Sequence, residues 1–282
     1  MSEISTVCGI DSPARGGILK DYNEHSQYHF KYLNDHSIKF EVHSLGGVAR
    51  IPVYNGTDTI MSNISNDITA SLTSSGVAGL DTGTEQANTG YYLYLVSKEN
   101  GTDPELVYTI SSSATPTMPS GYTRYSKRLW YVANNTGSAN DEILPFFCTC
   151  DGWCHYIGCM DSVSVFKESV LESRSAIDLN TATTTNKALV PPDATSVKLK
   201  FCIKNDNSSV GSFKLYWTET CVHGFYYVTN VGKGGQGDTI LTHFTSDFPL
   251  HAGLSGSVWW EWFDSPGAPQ LSCHMLGFLM HK

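Results

Sequence analysis

Residues 79–147 read GLDTGTEQANTGYYLYLVSKENGTDPELVYTISSSATPTMPSGYTRYSKRLWYVANNTGSANDEILPFF. Tyr91–Val96 is apolar at every position, with Tyr91, Leu93 and Leu95 on one face and Tyr92, Tyr94 and Val96 on the other. Such a strand must be covered on both sides, inside a sandwich or by another subunit. Glu99-Asn100-Gly101 turns the chain and Leu106–Ile110 returns it. Ser111–Gly121 carries two prolines and little side-chain bulk, as a surface loop does. Tyr125–Val132 and Ile143–Cys150 read as further strands.

Outward toward the C-terminus, strand patterns continue. Phe166–Thr185 is rich in Ser, Thr and Asn and reads as a seam between two β-units. Pro191-Pro192-Asp193 opens the second unit. There Val197, Leu199, Phe201 and Ile203 alternate with Lys198, Lys200, Cys202 and Lys204, apolar in and polar out. Counting Phe213–Thr218, Gly224–Thr229, Thr239–Phe244, Gly256–Phe263 and Leu271–Met280, about a dozen strands are expected. The fold class is all-β: an antiparallel, jelly-roll-like β-sandwich of one or two packed units. Toward the N-terminus, Asn55-Gly56 marks a hairpin between Ile51–Tyr54 and Thr59–Ile64. Before that, Ile18, Leu19, Tyr22, His25, His29, Tyr32 and Leu33 recur at helical spacing, which predicts a short amphipathic helix. The expected organisation is a segment over 1–45 that docks elsewhere, a β-unit over 46–165 and a second β-unit over 166–282.

The stretch 79–147 resembles a β-domain common in tail-fibre and related virion proteins of tailed bacteriophages. The matching elements are Gly-Leu-Asp-Thr-Gly (79–83), Ala-Asn-Thr (87–89) running into Tyr-Tyr-Leu-Tyr-Leu (91–95), Pro-Ser-Gly-Tyr-Thr-Arg-Tyr (119–125) and Ile-Leu-Pro-Phe (143–146). The resemblance implies a virion component, assembled as a homo-oligomer (most simply a trimer) and made in the host bacterial cytoplasm. Residues 1–45 would then anchor it to other virion proteins. A structural module does not by itself fix function, so recognition of a host surface glycan stands as the alternative, and an envelope-degrading hydrolase as a third.

Composition narrows the classes. Of 282 residues, 40% are hydrophobic and only 16% charged, and the net charge is −9. No Lys/Arg cluster makes a basic face, so no nucleic-acid partner is expected. The one dense basic run, Arg124, Lys127 and Arg128, alternates with Tyr122 and Tyr125 and reads as a strand face. No run approaches the ~20 apolar residues of a membrane helix, and residues 1–20 lack an apolar leader core. Membrane insertion is not expected.

Eight cysteines are present. Cys148, Cys150, Cys154, His155 and Cys159 cluster, and thiolates this close raise the question of zinc. With Asp151-Gly152 as a two-residue turn, Cys148 would face His155. Alternation would then place Cys148, Cys150, His155 and Cys159 on one face and Cys154 on the other. A flat β-face is poorly shaped for a tetrahedral cage. Free, mostly buried thiols are the expectation, with a disulfide as the alternative.

Other motifs lack their chemical context. His25 and His29 are four apart without the glutamate of a zinc protease. Gly232–Asp238 is glycine-rich, but Lys233 is followed by Gly and the next segment reads as a strand. No nucleophile elbow is present. No catalytic residue, cofactor or metal is therefore expected. Val258–Phe263 (VWWEWF) is the densest aromatic run and reads as core with one face toward a neighbouring sheet or subunit. Candidate surface contacts for a glycan are Tyr122, Tyr125, Lys233 and Gln236.

Overall fold

The computed structural model of the chain describes residues 27–43, 47–136, 141–149, 152–157, 163–166, 175–178, 189–205, 211–216, 225–230, 240–249, 257–264 and 270–280. The strands in chain order are β1 (Tyr28–Asn34), β2 (Ser37–Val42), β3 (Ala49–Tyr54), β4 (Thr59–Ile64), β5 (Ile68–Ser71), β6 (Gly79–Leu80), β7 (Thr89–Ser97), β8 (Glu105–Ile110), β9 (Arg124–Tyr125), β10 (Trp130–Thr136) and β11 (Asp141–Ile143). They continue as β12 (Phe146–Cys148), β13 (Trp153–Tyr156), β14 (Val163–Phe166), β15 (Ser175–Asp178), β16 (Ala194–Asn205), β17 (Gly211–Tyr216), β18 (Phe225–Asn230), β19 (Ile240–Pro249), β20 (Ser257–Asp264) and β21 (Gln270–Met280).

Among the described residues every regular element is a strand, as the alternation in the sequence requires. Four sheets result. β1-β2-β5 is the smallest. The second runs β11-β10-β7-β9-β3-β4, with β8 on β7 and β6 on β8. The third runs β12-β13-β21-β16-β19, with β14 on β21. The fourth runs β15-β20-β17-β18. Strand pairing is antiparallel except between β6 and β8. The third sheet draws β12, β13 and β14 from residues up to Phe166 and β16, β19 and β21 from residues after it.

β7 is the axis of the fold: Gly90 to Ser97 are all buried. On the Leu93 side, the cross-strand neighbours Tyr108 and Trp130 lead to the small sheet. Tyr108 Oη donates to the Ala70 carbonyl at 3.2 Å, and Trp130 stacks on Phe30 at 5.4 Å. On the Tyr92 side, the hydroxyl donates to Asp193 Oδ1 at 2.5 Å, and the cross-strand neighbour Tyr131 meets Phe278 edge-on at 5.8 Å. The chain thus covers both faces of this strand itself, and its apolarity requires no second subunit.

Aromatic cores need exits for hydroxyls, because an unpaired buried O–H is costly. Tyr94 Oη donates to the Ala114 carbonyl at 3.2 Å and Tyr156 Oη to the Leu189 carbonyl at 2.6 Å. Tyr91 Oη accepts from the Gln86 amide at 2.8 Å. The Tyr156 and Tyr92 bonds also tie β13 and β7 to the segment that enters β16.

One expectation about local structure is corrected. The helix read over Ile18–Leu33 falls partly outside the described residues, but Tyr28–Asn34 is strand β1, paired with β2 through a turn at Asp35-His36. The governing period there is two: Tyr28 and Phe30 are buried while His29 and Lys31 face outward. Phe40 completes the cluster, stacked on Tyr28 at 4.5 Å and edge-on to Phe30 at 5.5 Å. Tyr28 and Phe30 at alternate positions of β1, packed on Phe40 of β2, gain more by sheet packing than the thin face of a helix could supply. Within the stretch read as a seam, Ser175–Asp178 is strand β15, paired with β20.

Candidate recognition surface

The Tyr122–Arg128 segment lies where the β3–β4 and β7–β8 turns meet. The β3–β4 turn is shaped by Asn55, whose Oδ1 accepts from the amides of Thr57 and Asp58 at 2.9 and 3.0 Å, with Gly56 at φ 96°. Arg124, on β9, is 4% exposed and reaches between this turn and the β7–β8 turn. Its Nη1 meets Asp58 Oδ1 at 2.9 Å, its Nη2 meets Glu99 Oε1 at 2.6 Å, and its Nε donates to the Glu99 carbonyl at 2.5 Å. Glu99 also accepts from Thr123 Oγ1 at 2.7 Å and Asn55 Nδ2 at 2.9 Å. These hydrogen bonds, Thr123 first and then Arg124 and Asn55, hold the Glu99 carboxyl below its usual range. A planar guanidinium with five donors can serve two carboxylates and a carbonyl at once; an ammonium cannot.

From that brace a ladder of rings runs across the sheet. Tyr54, 40% exposed, meets Tyr125 edge-on at 6.4 Å, and Tyr125 meets Tyr94 likewise at 6.4 Å. Arg128 Nε donates to Tyr94 Oη at 3.2 Å, and its guanidinium lies 4.2 Å from the centre of the Tyr92 ring. Arg128 Nη1 sits 3.4 Å from Asp193 Oδ2, which closes the ladder on the carboxylate bound by Tyr92. Burial raises the Tyr92 and Tyr94 phenols, and Asp193 raises Tyr92 further, so both stay protonated donors. The open end of the ladder is Tyr54 and Tyr125, with a brace beneath that fixes their backbone.

Of the surface contacts expected from sequence, Tyr125 takes part in this ladder. Tyr122 is half-buried against the core, after a turn closed by its amide and the Pro119 carbonyl at 3.1 Å. Lys233, Gln236 and His25 lie outside the described residues. Tyr54 and Asp193 were missed. Tyr54 pairs with Tyr125 in the β3–β9 ladder, a long-range pairing that no local pattern signals.

The cysteine cluster is arranged differently from the expectation. The β12–β13 register is Cys148↔Cys154 and Phe147↔His155. The Thr149 amide donates to the Trp153 carbonyl at 2.9 Å, so the connection is the three residues 150–152 rather than two, with Gly152 at φ 90°. That one residue moves Cys154 opposite Cys148 and puts His155 on the other face, since a one-residue slip exchanges the faces. Cys148 and His155 therefore do not share a face, and Cys150 and Cys159 lie outside the described residues. Among the described residues no group of three or more His, Cys, Asp and Glu is placed to hold a metal ion.

The outer face of this hairpin carries a second aromatic row that sequence reading missed. Phe147, half-exposed, stacks on His155 at 4.9 Å; Trp153 lies 6.0 Å from His155, and Lys198 Nζ is 4.8 Å above the Trp153 ring. Between His155 on β13 and Lys198 on β16 stands Gly277 of β21. A β-carbon there would collide with the Cys154 carbonyl. The aromatic run Val258–Phe263 falls on β20, a central strand flanked by β15 and β17.

No protein-family model matches the chain, and no curated protein matches it in sequence. Among solved structures, the chain is similar to the tryptic core of a Bacillus thuringiensis Cry1Da variant, at 8% identity and a TM-score of 0.23, over 88% of this chain and 50% of that one. It is also similar to a carbohydrate-binding module of the β-sandwich superfamily, at 10% identity and a TM-score of 0.16, over 90% of this chain and 91% of that one. The chain spans about half the length of the Cry1Da core.

Proposed function

We propose that this chain is a structural component of a tailed-bacteriophage particle, a fibre, collar, tail-tip or head-decoration protein, which acts by oligomeric assembly rather than by catalysis. The resemblance of residues 79–147 motivates this reading. The observation that carries it is the bracing of that stretch. Arg124 ties the β3–β4 turn, the β7–β8 turn and β9 together through Asp58 and Glu99. The buried tyrosines of β7 bond to segments before and after it. A body cross-linked in this way resists local opening, as a subunit under mechanical tension must. Synthesis in the bacterial cytoplasm, anchoring through residues 1–45 and trimeric assembly belong to the same proposal.

A second reading, recognition of a host surface glycan, is favoured by the Tyr54–Tyr125 pair. An exposed ring such as Tyr54, held at a fixed angle by the half-buried Tyr125 beside it, can stack on the apolar face of a pyranose. Weak single sites gain strength when many copies act together. A cryo-EM reconstruction of the intact particle separates the two. Copies in contact with head or tail-shaft proteins support the structural role. A few oligomers at the distal tip, with Tyr54 and Tyr125 facing outward, support glycan recognition. Absence from the particle overturns both and returns the hydrolase reading.

A further inference from the structure

Cys148 and Cys154 are both free thiols and stand directly opposite each other on β12 and β13. The flanking backbone bonds fix which kind of pair they form. The Thr149 amide donates to the Trp153 carbonyl, and the Ile157 amide to the Pro145 carbonyl at 2.8 Å. Hydrogen-bonded and non-hydrogen-bonded pairs alternate along an antiparallel ladder. The Thr149/Trp153 and Pro145/Ile157 positions are therefore of one kind, together with Phe147/His155. Cys148/Cys154 is of the other, the non-hydrogen-bonded kind, in which Cα atoms approach to about 4.5 Å and side chains are nearest. That spacing falls within the roughly 4.4–6.8 Å that a disulfide spans. Both side chains project to the same face. Cys154 is 1% exposed, and Cys148, half-buried, spends its S–H on the Phe30 carbonyl at 3.2 Å. The β12–β13 hairpin joins two other parts of the fold: β12 touches β1, and β13 pairs with β21.

We propose that Cys148 and Cys154 form a cross-strand disulfide when the protein meets an oxidant of the small-molecule disulfide class, such as oxidised glutathione. Cys148, the less buried thiol, loses its proton and attacks one glutathione sulfur. A mixed disulfide forms and one glutathione thiolate leaves. The Cys154 thiolate then attacks the Cys148 sulfur and releases the second. Two protein thiols and one glutathione disulfide become one protein disulfide and two glutathione thiols, with two electrons passing to glutathione. Burial raises both thiols above their ordinary range, and Cys148 raises Cys154 further, so exchange is slow at neutral pH and quickens as pH rises. The closed bond staples the hairpin at the junction of β1, β12 and β21. The chemistry is independent of the role proposed above; in a particle released by lysis it would follow departure from a reducing cytoplasm.

The full chain is incubated natively with oxidised glutathione at mildly alkaline pH, unfolded, alkylated and cut before Asp151 by an aspartate-specific protease. Asp151 separates Cys148 and Cys150 from Cys154 and Cys159 in sequence. The expected result is a linked pair of fragments, two hydrogens lighter than the reduced pair, that parts on reduction. Its tandem mass spectrum places the bond at Cys148 and Cys154 without need of a variant. The Cys154→Ser chain loses the link and accumulates a glutathione adduct on Cys148. The stapled protein melts a few degrees above the reduced one. Fragments that separate without reduction, a glutathione adduct with no link in the unmodified chain, or a bond through Cys150 or Cys159 instead, each overturn the proposal.

Discussion

Strand β7 passes beneath Tyr131 at Gly90: a β-carbon on residue 90 would fall on the phenol oxygen and the near edge of its ring. Both residues are buried, and they sit diagonally across the β7–β10 ladder, Gly90 opposite Ala133 and Tyr131 opposite Tyr92. Glycine is placed there by volume, not by backbone conformation. Gly90→Ala is expected to cost about 1–3 kcal/mol, the usual range for overpacking a closed core. The Tyr131→Leu background should relieve the collision. A double-mutant cycle by urea unfolding is expected to show the pair less destabilised than the sum of the single changes. Strict additivity would mean that the strand shifts to accept the methyl group.

The Arg124 brace makes a prediction about charge geometry. Arg124→Lys keeps the charge but cannot span Asp58 and Glu99 while also donating to the Glu99 carbonyl. The melting temperature is expected to fall nearly as far for Arg124→Lys as for Arg124→Met. The turns at 55–58 and 98–102 should become the first sites of limited proteolysis. Full retention of stability in the lysine variant would show that charge alone suffices.

How much of this was legible in the sequence depends on the range of the interaction that decides each element. Tyr91–Val96 announced a strand covered on both faces because its apolarity is local. Val197 and Leu199 are buried, and Lys198 and Lys200 less so, as their alternation implies. Residues 28–34 were misread because both a two-residue and a 3.6-residue period pass through Tyr32, and only the rings of Phe40 and Trp130 decide between them. The cysteine pair was misassigned by one residue of loop length. The ladder from Tyr54 to Asp193 depends on pairings between distant strands, which leave no mark in a local window.

Tyr92 and Asp193 test the tie between the two halves of the chain. Tyr92→Phe removes the hydroxyl that donates to Asp193 and leaves Arg128 as the carboxylate's remaining named partner. Asp193 is one-third exposed, so water can replace part of the bond. A loss of about 1 kcal/mol is expected, read as a lower urea midpoint with unchanged m-value. A changed m-value would show that the halves separate before they unfold.

The Tyr54 ring is an exposed end of the ladder, and its truncation should separate recognition from stability. Tyr54→Ser is expected to shift stability by no more than about 1 kcal/mol, because its ring is only partly removed from water. If the glycan reading holds, the same change lowers retention of the protein on host cells at least severalfold, whereas Phe147→Ser on the other aromatic row leaves it unchanged. Equal retention by the Tyr54→Ser chain and the unmodified chain would remove this surface from consideration.

The outer face of the β1–β2 hairpin is expected to contribute to the acid sensitivity of the fold. Lys39 Nζ bridges Glu41 at 2.6 Å and Asp67 at 3.1 Å, Asp67 accepts from the Val42 amide at 3.0 Å, and His29 Nε2 meets Glu41 at 2.7 Å. The Lys39 hydrogen bond lowers Glu41 from its ordinary 4.5, the Val42 amide bond lowers Asp67 from 3.8, and burial, outweighing the attraction of Glu41, lowers His29 from 6.5. All three groups bind protons more weakly folded than unfolded, so each contributes stability that is full above its ordinary pKa and is lost as pH falls through its folded one. Stability should therefore begin to fall below about pH 6.5 through His29 and fall further below about pH 4.5 through the two carboxylates. Lys39→Met removes the main cause of the Glu41 shift and one cause of the Asp67 shift. Urea unfolding of this variant should show lower stability at pH 7 and a shallower decline between about pH 5 and pH 3. Parallel pH curves for the two proteins would place the acid sensitivity elsewhere in the chain.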